Sequence, residues 1–308
     1  MAVRVAEEWF AICGGCEVTI LDIGEKLLDL LPSLQFVHMP VLMDHKVYGQ
    51  KGEKKKMEIP EADVGIIAGS IRNEENKELA KEMRAKCKTL IALGSCACYG
   101  GIPALANLYK LEDLYKKVYK ESKSTDPAET PNQEVPPLTD RVYALDEVVK
   151  VDVYIPGCPT SPDLVVDALT ALLQGKPFTL PERSVCDDCP TQRQKKADIQ
   201  LKRPLESVTD ITKPVNQSRC FMELGYLCLG PVTKSGCGGH EKIPRCIKGY
   251  MPCRGCFGPI RKGANPLVEM MGALSSIGLD AKAIVDRAPT IQRYIGAHGR
   301  LKPTPAAK

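Results

Sequence analysis

Histidine is scarce in this sequence: His38, His45, His240 and His298 are the whole set among 308 residues. Only His240 stands close to a cysteine, three residues after Cys237, and it reads as a solvated loop residue. A lone C-x-x-H lacks the paired knuckle and histidines of a zinc finger, so any metal must be held mainly by other ligands. Long apolar runs are missing too. None approaches the ~18 residues of a membrane helix, which excludes a helical span. The opening MAVRVAEEWF has neither a basic-then-apolar leader nor a twin arginine, so a cytoplasmic protein is expected. Charge of one sign is not in excess: 42 Lys and Arg against 38 Asp and Glu leave +4. That balance gives no basic footprint for nucleic acid. No internal repeat is visible. What remains is an ordinary globular composition, 44% hydrophobic and 26% charged, long enough to bury a core without staples.

Cysteine is the abundant residue. Fourteen in 308 residues falls below the roughly 8–10% of a disulfide scaffold, and such scaffolds are short and secreted. In a reducing compartment, closely spaced cysteines are metal ligands or redox catalysts. Three C-x-x-C pairs occur: Cys13 and Cys16, Cys186 and Cys189, Cys253 and Cys256. Cys96, Cys158, Cys220, Cys228, Cys237 and Cys246 stand singly, with Cys87 and Cys98 completing the set. Twelve thiolates would fill three four-thiolate sites, which points to zinc or iron–sulfur clusters.

The first half reads as α/β. Short Val- and Ile-rich strands are expected at Arg4–Phe10, Gln35–Leu42, Val64–Ala68, Thr89–Leu93 and Val151–Ile155. Helical patterns separate them at Glu17–Leu31, Asn73–Cys87 and Asp163–Leu173. Alternating strands and helices imply a parallel sheet covered on both faces. Two insertions interrupt it: Lys46–Met57, with the run Lys54, Lys55, Lys56, expected to be a solvated hairpin or loop, and the Pro- and acid-rich Glu121–Asp140, expected to be irregular. After Pro181 strand signals fade and eight cysteines crowd between Cys186 and Cys256. Apolar periodicity returns near Pro266–Ile277, so a domain boundary is expected near residue 180.

Cys13 and Cys16 follow the first expected strand, Cys96 follows Thr89–Leu93, and Cys158 follows Val151–Ile155. Each lies at the carboxyl end of a strand, where crevices form in open α/β sheets. Gly14, Gly15, Gly94, Gly100, Gly101 and Gly157 would let backbone approach a bulky inorganic core. Glycine turns that merely close βα units would not need a cysteine at each crossing.

The segments C-G-G-C-E, G-S-C-A-C-Y-G-G and P-G-C-P resemble the proximal-cluster motifs of the small subunit of [NiFe] hydrogenases. They map onto Cys13, Cys16, Cys96 and Cys158, leaving Cys98 at a variable position and Cys87 as a spare buried thiol. R-C-F-M-E-L-G-Y-L-C-L-G-P resembles the distal segment, and P-C-R-G-C the medial one. The resemblance implies a distal cluster on Cys186, Cys189, Cys220 and Cys228, and a medial cluster on Cys237, Cys253 and Cys256. It also implies a flavodoxin-like sheet domain over 1–180 binding the proximal cluster. A mostly irregular and helical domain over 181–308 would carry the other two.

Two departures matter. Cys186 stands where many periplasmic relatives have histidine, and Cys246 can be a fourth medial ligand where many have proline. Three [4Fe-4S] clusters are therefore expected rather than a mixed set, a chain suited to a low-potential acceptor. Glu17 follows Cys16 directly, one place earlier than the family's usual glutamate, and receives no proton-transfer role.

Within the family the chain resembles the cytoplasmic F420-non-reducing, viologen-reducing type of methanogenic archaea. That type implies a large [NiFe] subunit, a small [2Fe-2S] subunit and heterodisulfide reductase downstream. The F420-reducing small subunit is the nearest rival. Trp9, Phe10, Ile12, Ile102 and Leu105 are candidate contacts for the large subunit, or ordinary core. No catalytic residue is expected in this chain. A zinc-stapled binding protein or a thiol–disulfide oxidoreductase would leave most of the cysteine pattern without a task. A complex-I-type subunit shares the first domain but has one cluster there.

Overall fold

The computed structural model describes residues 2–194, 200–202 and 210–303. Two compact units form: residues 1–178 together with 294–308, and residues 179–293. The sequence suggests one crossing, near residue 180. The chain crosses again after Arg293, because its closing segment bonds back onto the first unit.

In the first unit the strands are β1 (Val3–Trp9), β2 (Leu34–His38), β3 (Ala62–Ala68), β4 (Ile71–Asn73), β5 (Cys87–Leu93), β6 (Leu138–Tyr143) and β7 (Val153–Ile155). Five of them make one sheet in the order β2-β1-β3-β5-β7, with every neighbouring pair parallel. Counting only those five, this is the 2-1-3-4-5 order of a flavodoxin-like doubly wound sheet. The α/β class expected from the sequence is the fold observed. β3 (ADVGIIA) and β5 (CKTLIAL) are nearly continuous apolar runs because helices cover a parallel sheet on both faces. β4 and β6 pair antiparallel outside that sheet. β6 takes up the last three residues of the segment expected to be irregular, while 46–57 forms exposed turns.

The helices of this unit are α1 (Gly15–Leu21), α2 (Glu25–Leu30), α3 (Glu74–Lys86), α4 (Gly94–Tyr99), α5 (Leu111–Tyr115) and α6 (Pro162–Leu173). The single helix expected over Glu17–Leu31 is broken in two. Gly24 sits between the halves at φ +66°, a conformation open to glycine and strained for other residues. α3 shows every terminal signal: Asn73 accepts the Asn76 N–H at 2.7 Å, acids open the helix and Arg84 and Lys86 close it. Its Leu79, Ala80 and Met83 bury against the sheet with Ile67, Ile71 and Leu90.

The second unit holds α7 (Val185–Asp188), α8 (Arg245–Lys248), α9 (Pro266–Ser276) and α10 (Arg287–Ile291). Its core is assembled from loops and helix faces around Phe221, Tyr226, Leu229, Met270 and Leu274. Cys228 and Cys253 belong to that core. Among the described residues no helix is long and apolar enough to cross a membrane.

Candidate metal centres

The first centre forms where the carboxyl ends of β1, β5 and β7 run out into loops. Cys13 and Cys16 lie just after β1, Cys16 in the first turn of α1; Cys96 is in α4, and Cys158 follows β7. Cys16 and Cys96 are buried, whereas Cys13 and Cys158 are exposed. Burial pushes the Cys16 thiol up to about 12, and the neighbouring Glu17, Cys96 and Cys158 push the same way. Cys96 is likewise pushed up to about 12 by burial, then by Cys158 and Cys13. The four sulfurs therefore share one electrostatic neighbourhood. Left alone, the buried pair would stay protonated. A cationic core is the chemistry that would turn such a set into thiolates.

Glycine makes room for that core. A Cβ on Gly94 would collide with the Cys16 Sγ, and one on Gly101 with the Cys96 Sγ. Both glycines have positive φ, +80° and +55°. Backbone amides act on the sulfurs too: that of Thr160 favours the Cys16 thiolate and that of Ile102 favours the Cys96 thiolate. The Cys96 and Cys158 loops are tied together, with Ser95 N–H donating to the Gly157 carbonyl at 2.8 Å and Gly157 N–H donating to Ser95 Oγ at 3.2 Å.

The two spare thiols lie elsewhere. Cys98 is fully buried and points its Sγ at the Ala92 carbonyl, 3.4 Å away. Cys87 packs against Gly65, where an added Cβ would come within 2.6 Å of its Sγ. Of the candidate contact residues, Trp9 and Ile102 are exposed, Ile12 and Leu105 half-buried, and Phe10 is core.

The second unit gathers eight cysteines in two groups. Cys186, Cys189, Cys220 and Cys228 line one small cavity with Thr191, Arg193 and Gly230. Burial pushes Cys186 up to about 11, opposed by the Arg193 guanidinium, and pushes Cys228 up to about 12. A Cβ on Gly230 would stand 3.0 Å from the Cys186 Sγ and 3.6 Å from that of Cys228. In the other group, Cys237 interacts with Cys246, and Cys253 with Cys256 and Cys246, though more strongly with Cys228 of the first group; burial raises both Cys237 and Cys253. The two groups touch through backbone: Cys253 N–H donates to the Cys228 Sγ at 3.2 Å, and Leu229 N–H to the Cys253 carbonyl at 2.9 Å. Among the described residues, no three His, Cys, Asp or Glu side chains gather tightly enough to grip one bare ion. The donors in each set are all cysteine sulfurs, the chemistry that holds iron–sulfur clusters.

Buried charged groups gather in this part of the first unit, and of them the sequence reading singled out Glu17 but not Glu7 or Glu8. Glu7 is fully buried, its carboxylate has no hydrogen-bond partner, and burial pushes it up to about 8. Glu17 is also buried without a partner and raised by burial. Glu8 and His38 form a buried contact, Oε1 to Nε2 at 2.6 Å. The available signal was the Glu7-Glu8 pair inside a strand of a sheet buried on both faces.

Known proteins place this geometry. Residues 13–172 match the family described as NADH ubiquinone oxidoreductase, 20 Kd subunit, a span that contains Cys13, Cys16, Cys96 and Cys158. A vhu subunit of the F420-non-reducing hydrogenase of Methanocaldococcus jannaschii is 38% identical over 96% of this chain and 95% of its own. The gamma chain of the coenzyme F420 hydrogenase of Methanosarcina barkeri is 27% identical over 77% of this chain and 73% of its own. A chain of an NAD+-reducing [NiFe]-hydrogenase in the H2-reduced state superposes with a TM-score of 0.53 at 31% identity, covering 59% of this chain and 96% of that one. A chain of the Dm. baculatum [NiFeSe]-hydrogenase superposes with a TM-score of 0.52 at 17% identity over 85% of this chain and 96% of that one, a likeness of fold. With its thiols converging at the sheet edge and its kinship to the vhu protein along almost the whole chain, this protein belongs to the small-subunit family of F420-non-reducing [NiFe] hydrogenases.

Proposed function

We propose that the chain is the electron-relay subunit of a cytoplasmic hydrogenase complex and holds three [4Fe-4S] clusters. Cys13, Cys16, Cys96 and Cys158 would hold the proximal one. Cys237, Cys246, Cys253 and Cys256 would hold the medial one, and Cys186, Cys189, Cys220 and Cys228 the distal one. What supports this reading is that Cys13, Cys16, Cys96 and Cys158 act on one another at the sheet edge, that Cys186, Cys189, Cys220 and Cys228 line one cavity, and that Cys237, Cys246, Cys253 and Cys256 are linked by mutual interactions. When bound, the clusters supply one-electron carriers between H2 oxidation at a large [NiFe] subunit and a low-potential acceptor.

The chain's residues set the conditions. Burial of Cys16, Cys96, Cys228 and Cys253 lowers the local dielectric and limits water at the sulfurs. The Cys253 N–H donates to the Cys228 sulfur, and the Ile102 and Thr160 amides favour negative charge at Cys96 and Cys16. The Cys253 amide gives the medial and distal groups a direct bonded link.

Partner binding follows from the surface of the first unit. Trp9 packs its ring edge near Gly14, with 3.9 Å from an added Cβ to Cζ2, and is 44% exposed; Cys13 and Cys158 are exposed as well. An apolar cover over these groups suits an obligate interface with the large subunit. The small [2Fe-2S] subunit and heterodisulfide reductase are the remaining proposed partners. The fourteen free cysteines fit a reducing compartment.

The test is anaerobic purification of the native complex followed by exposure to H2. We expect a nickel-containing partner, H2-dependent loss of the oxidised-cluster absorbance, and viologen reduction. Flavin with F420 reduction would move the chain to the rival group, and absence of a nickel partner would defeat the reading.

A further inference from the structure

The closing segment of the first unit is built against the loop that carries Cys96. Ile295, Ala297 and Leu301 are buried at 3%, 0% and 3% exposure. Ile295 bridges Gly101 in parallel, and Ala297 N–H donates to the Tyr99 carbonyl at 3.1 Å. The fit is close: a Cβ on Gly100 would meet the Ala297 Cβ at 2.7 Å, and a Cβ on Gly296 would meet that of Ala104 at 3.0 Å. Gly101 itself lies against Cys96, whose Sγ would collide with an added Cβ, and the next backbone amide, Ile102, favours the Cys96 thiolate. The segment thus touches the backbone that packs against a proposed ligand sulfur.

One polar contact latches it. His298 Nε2 meets Asp146 Oδ1 at 2.6 Å, and Tyr154 OH donates to Asp146 Oδ2 at 3.0 Å. His298 is held at φ +55°, a conformation that costs a histidine free energy and persists where surrounding contacts over-determine it. Here Asp146 supplies that contact. The charged groups facing His298 are Asp146 and Glu147, which favour its cation, and Arg300, which opposes it. Asp146 also acts electrostatically on buried Cys98, which in turn interacts with Cys16 and Cys96.

We infer that residues 294–301 are a strap that positions the Cys96 loop, with His298 as its positioning residue through Asp146. The inference rests on the proposed proximal cluster. A strap that holds Gly101 in register fixes the backbone packed against the Cys96 sulfur, and the surroundings of a ligand sulfur tune the potential of the centre it serves.

The experiment uses the purified native complex and EPR-monitored redox titration. His298→Ala removes the latch and should move the potential and g-values of the proximal signal while leaving the other two unchanged. His298→Asn tolerates the positive φ and can donate an amide N–H to Asp146, so it should restore the proximal signal to its original position. Cys96→Ser identifies that signal by abolishing or converting it. If Cys96→Ser acts on one signal and His298→Ala leaves that signal where it was, the strap has no positioning role and the inference is overturned. If Cys96→Ser leaves every signal unchanged, the proximal-cluster reading itself fails, and the inference falls with it.

Discussion

The two units hold their cysteines in opposite ways. In the first, Cys13, Cys16, Cys96 and Cys158 sit on loops and short helices at the edge of a five-stranded sheet whose hydrogen bonds and apolar core cluster do not include them. In the second, Cys228 and Cys253 are part of the core, and among the described residues the regular structure consists of short helices. The first is a scaffold that presents a site. The second is a fold organised by its sites, as in small metallo-domains whose metal-binding free energy is folding free energy.

The largest expected effect follows directly. Anaerobic removal of iron should collapse the second unit and spare the first. Limited proteolysis should cut within 179–293 while a core of the sheet survives; equal protection of both units would erase the contrast. Single ligand changes should separate the units next. Cys96→Ser should alter the proximal signal alone. Cys228→Ser should disturb the distal signal and, because Cys253 N–H bonds that sulfur at 3.2 Å, the medial one as well. A medial signal untouched by Cys228→Ser would show the backbone link to be energetically idle.

Leu90→Ala sharpens the comparison from the other side. Leu90 is wholly buried in the sheet core, so the change should cost about 2–5 kcal/mol in denaturant unfolding of the first unit. The metal content of the folded protein should not change.

Glu7 gives a pH signature. Burial raises its carboxyl from 4.5 to about 8, so the folded state binds that proton more tightly than the unfolded state. Its contribution is fully present below pH 4.5 and is lost progressively as pH rises toward 8. Glu7→Gln should therefore stabilise the first unit increasingly across that window. A Tm difference that stays constant from pH 5 to 8 would contradict the buried, protonated state. The smallest effect is at α6, where Ser161 Oγ accepts the Leu164 N–H at 3.3 Å. Ser161→Ala should cost ~1 kcal/mol.

The same contrast decides what could be read in advance. Strands β3 and β5 announce themselves because a sheet buried on both faces favours apolar runs, β1 and β7 show only shorter Val- and Ile-containing pieces, and a cysteine just beyond each strand lies at the sheet's carboxyl edge. Cys13, Cys16, Cys96 and Cys158 were therefore legible as one neighbourhood. No periodicity marks the loops around Cys220 or Cys237, so dividing those eight thiols into two groups required motif resemblance. The break at Gly24 was missed because the apolar spacing of Glu17–Leu31 continues through it. The strap was missed because its pairing partner Gly101 is almost two hundred residues away and its key residue, His298, stands far from any cysteine in sequence. Long-range latches of this kind leave no local pattern.

The central claim is that twelve thiolates of one chain hold three four-iron cores. Iron and acid-labile sulfide, measured on anaerobically purified protein, should each reach about twelve per chain. A reproducible value near eight, or zinc in place of iron, would contradict it.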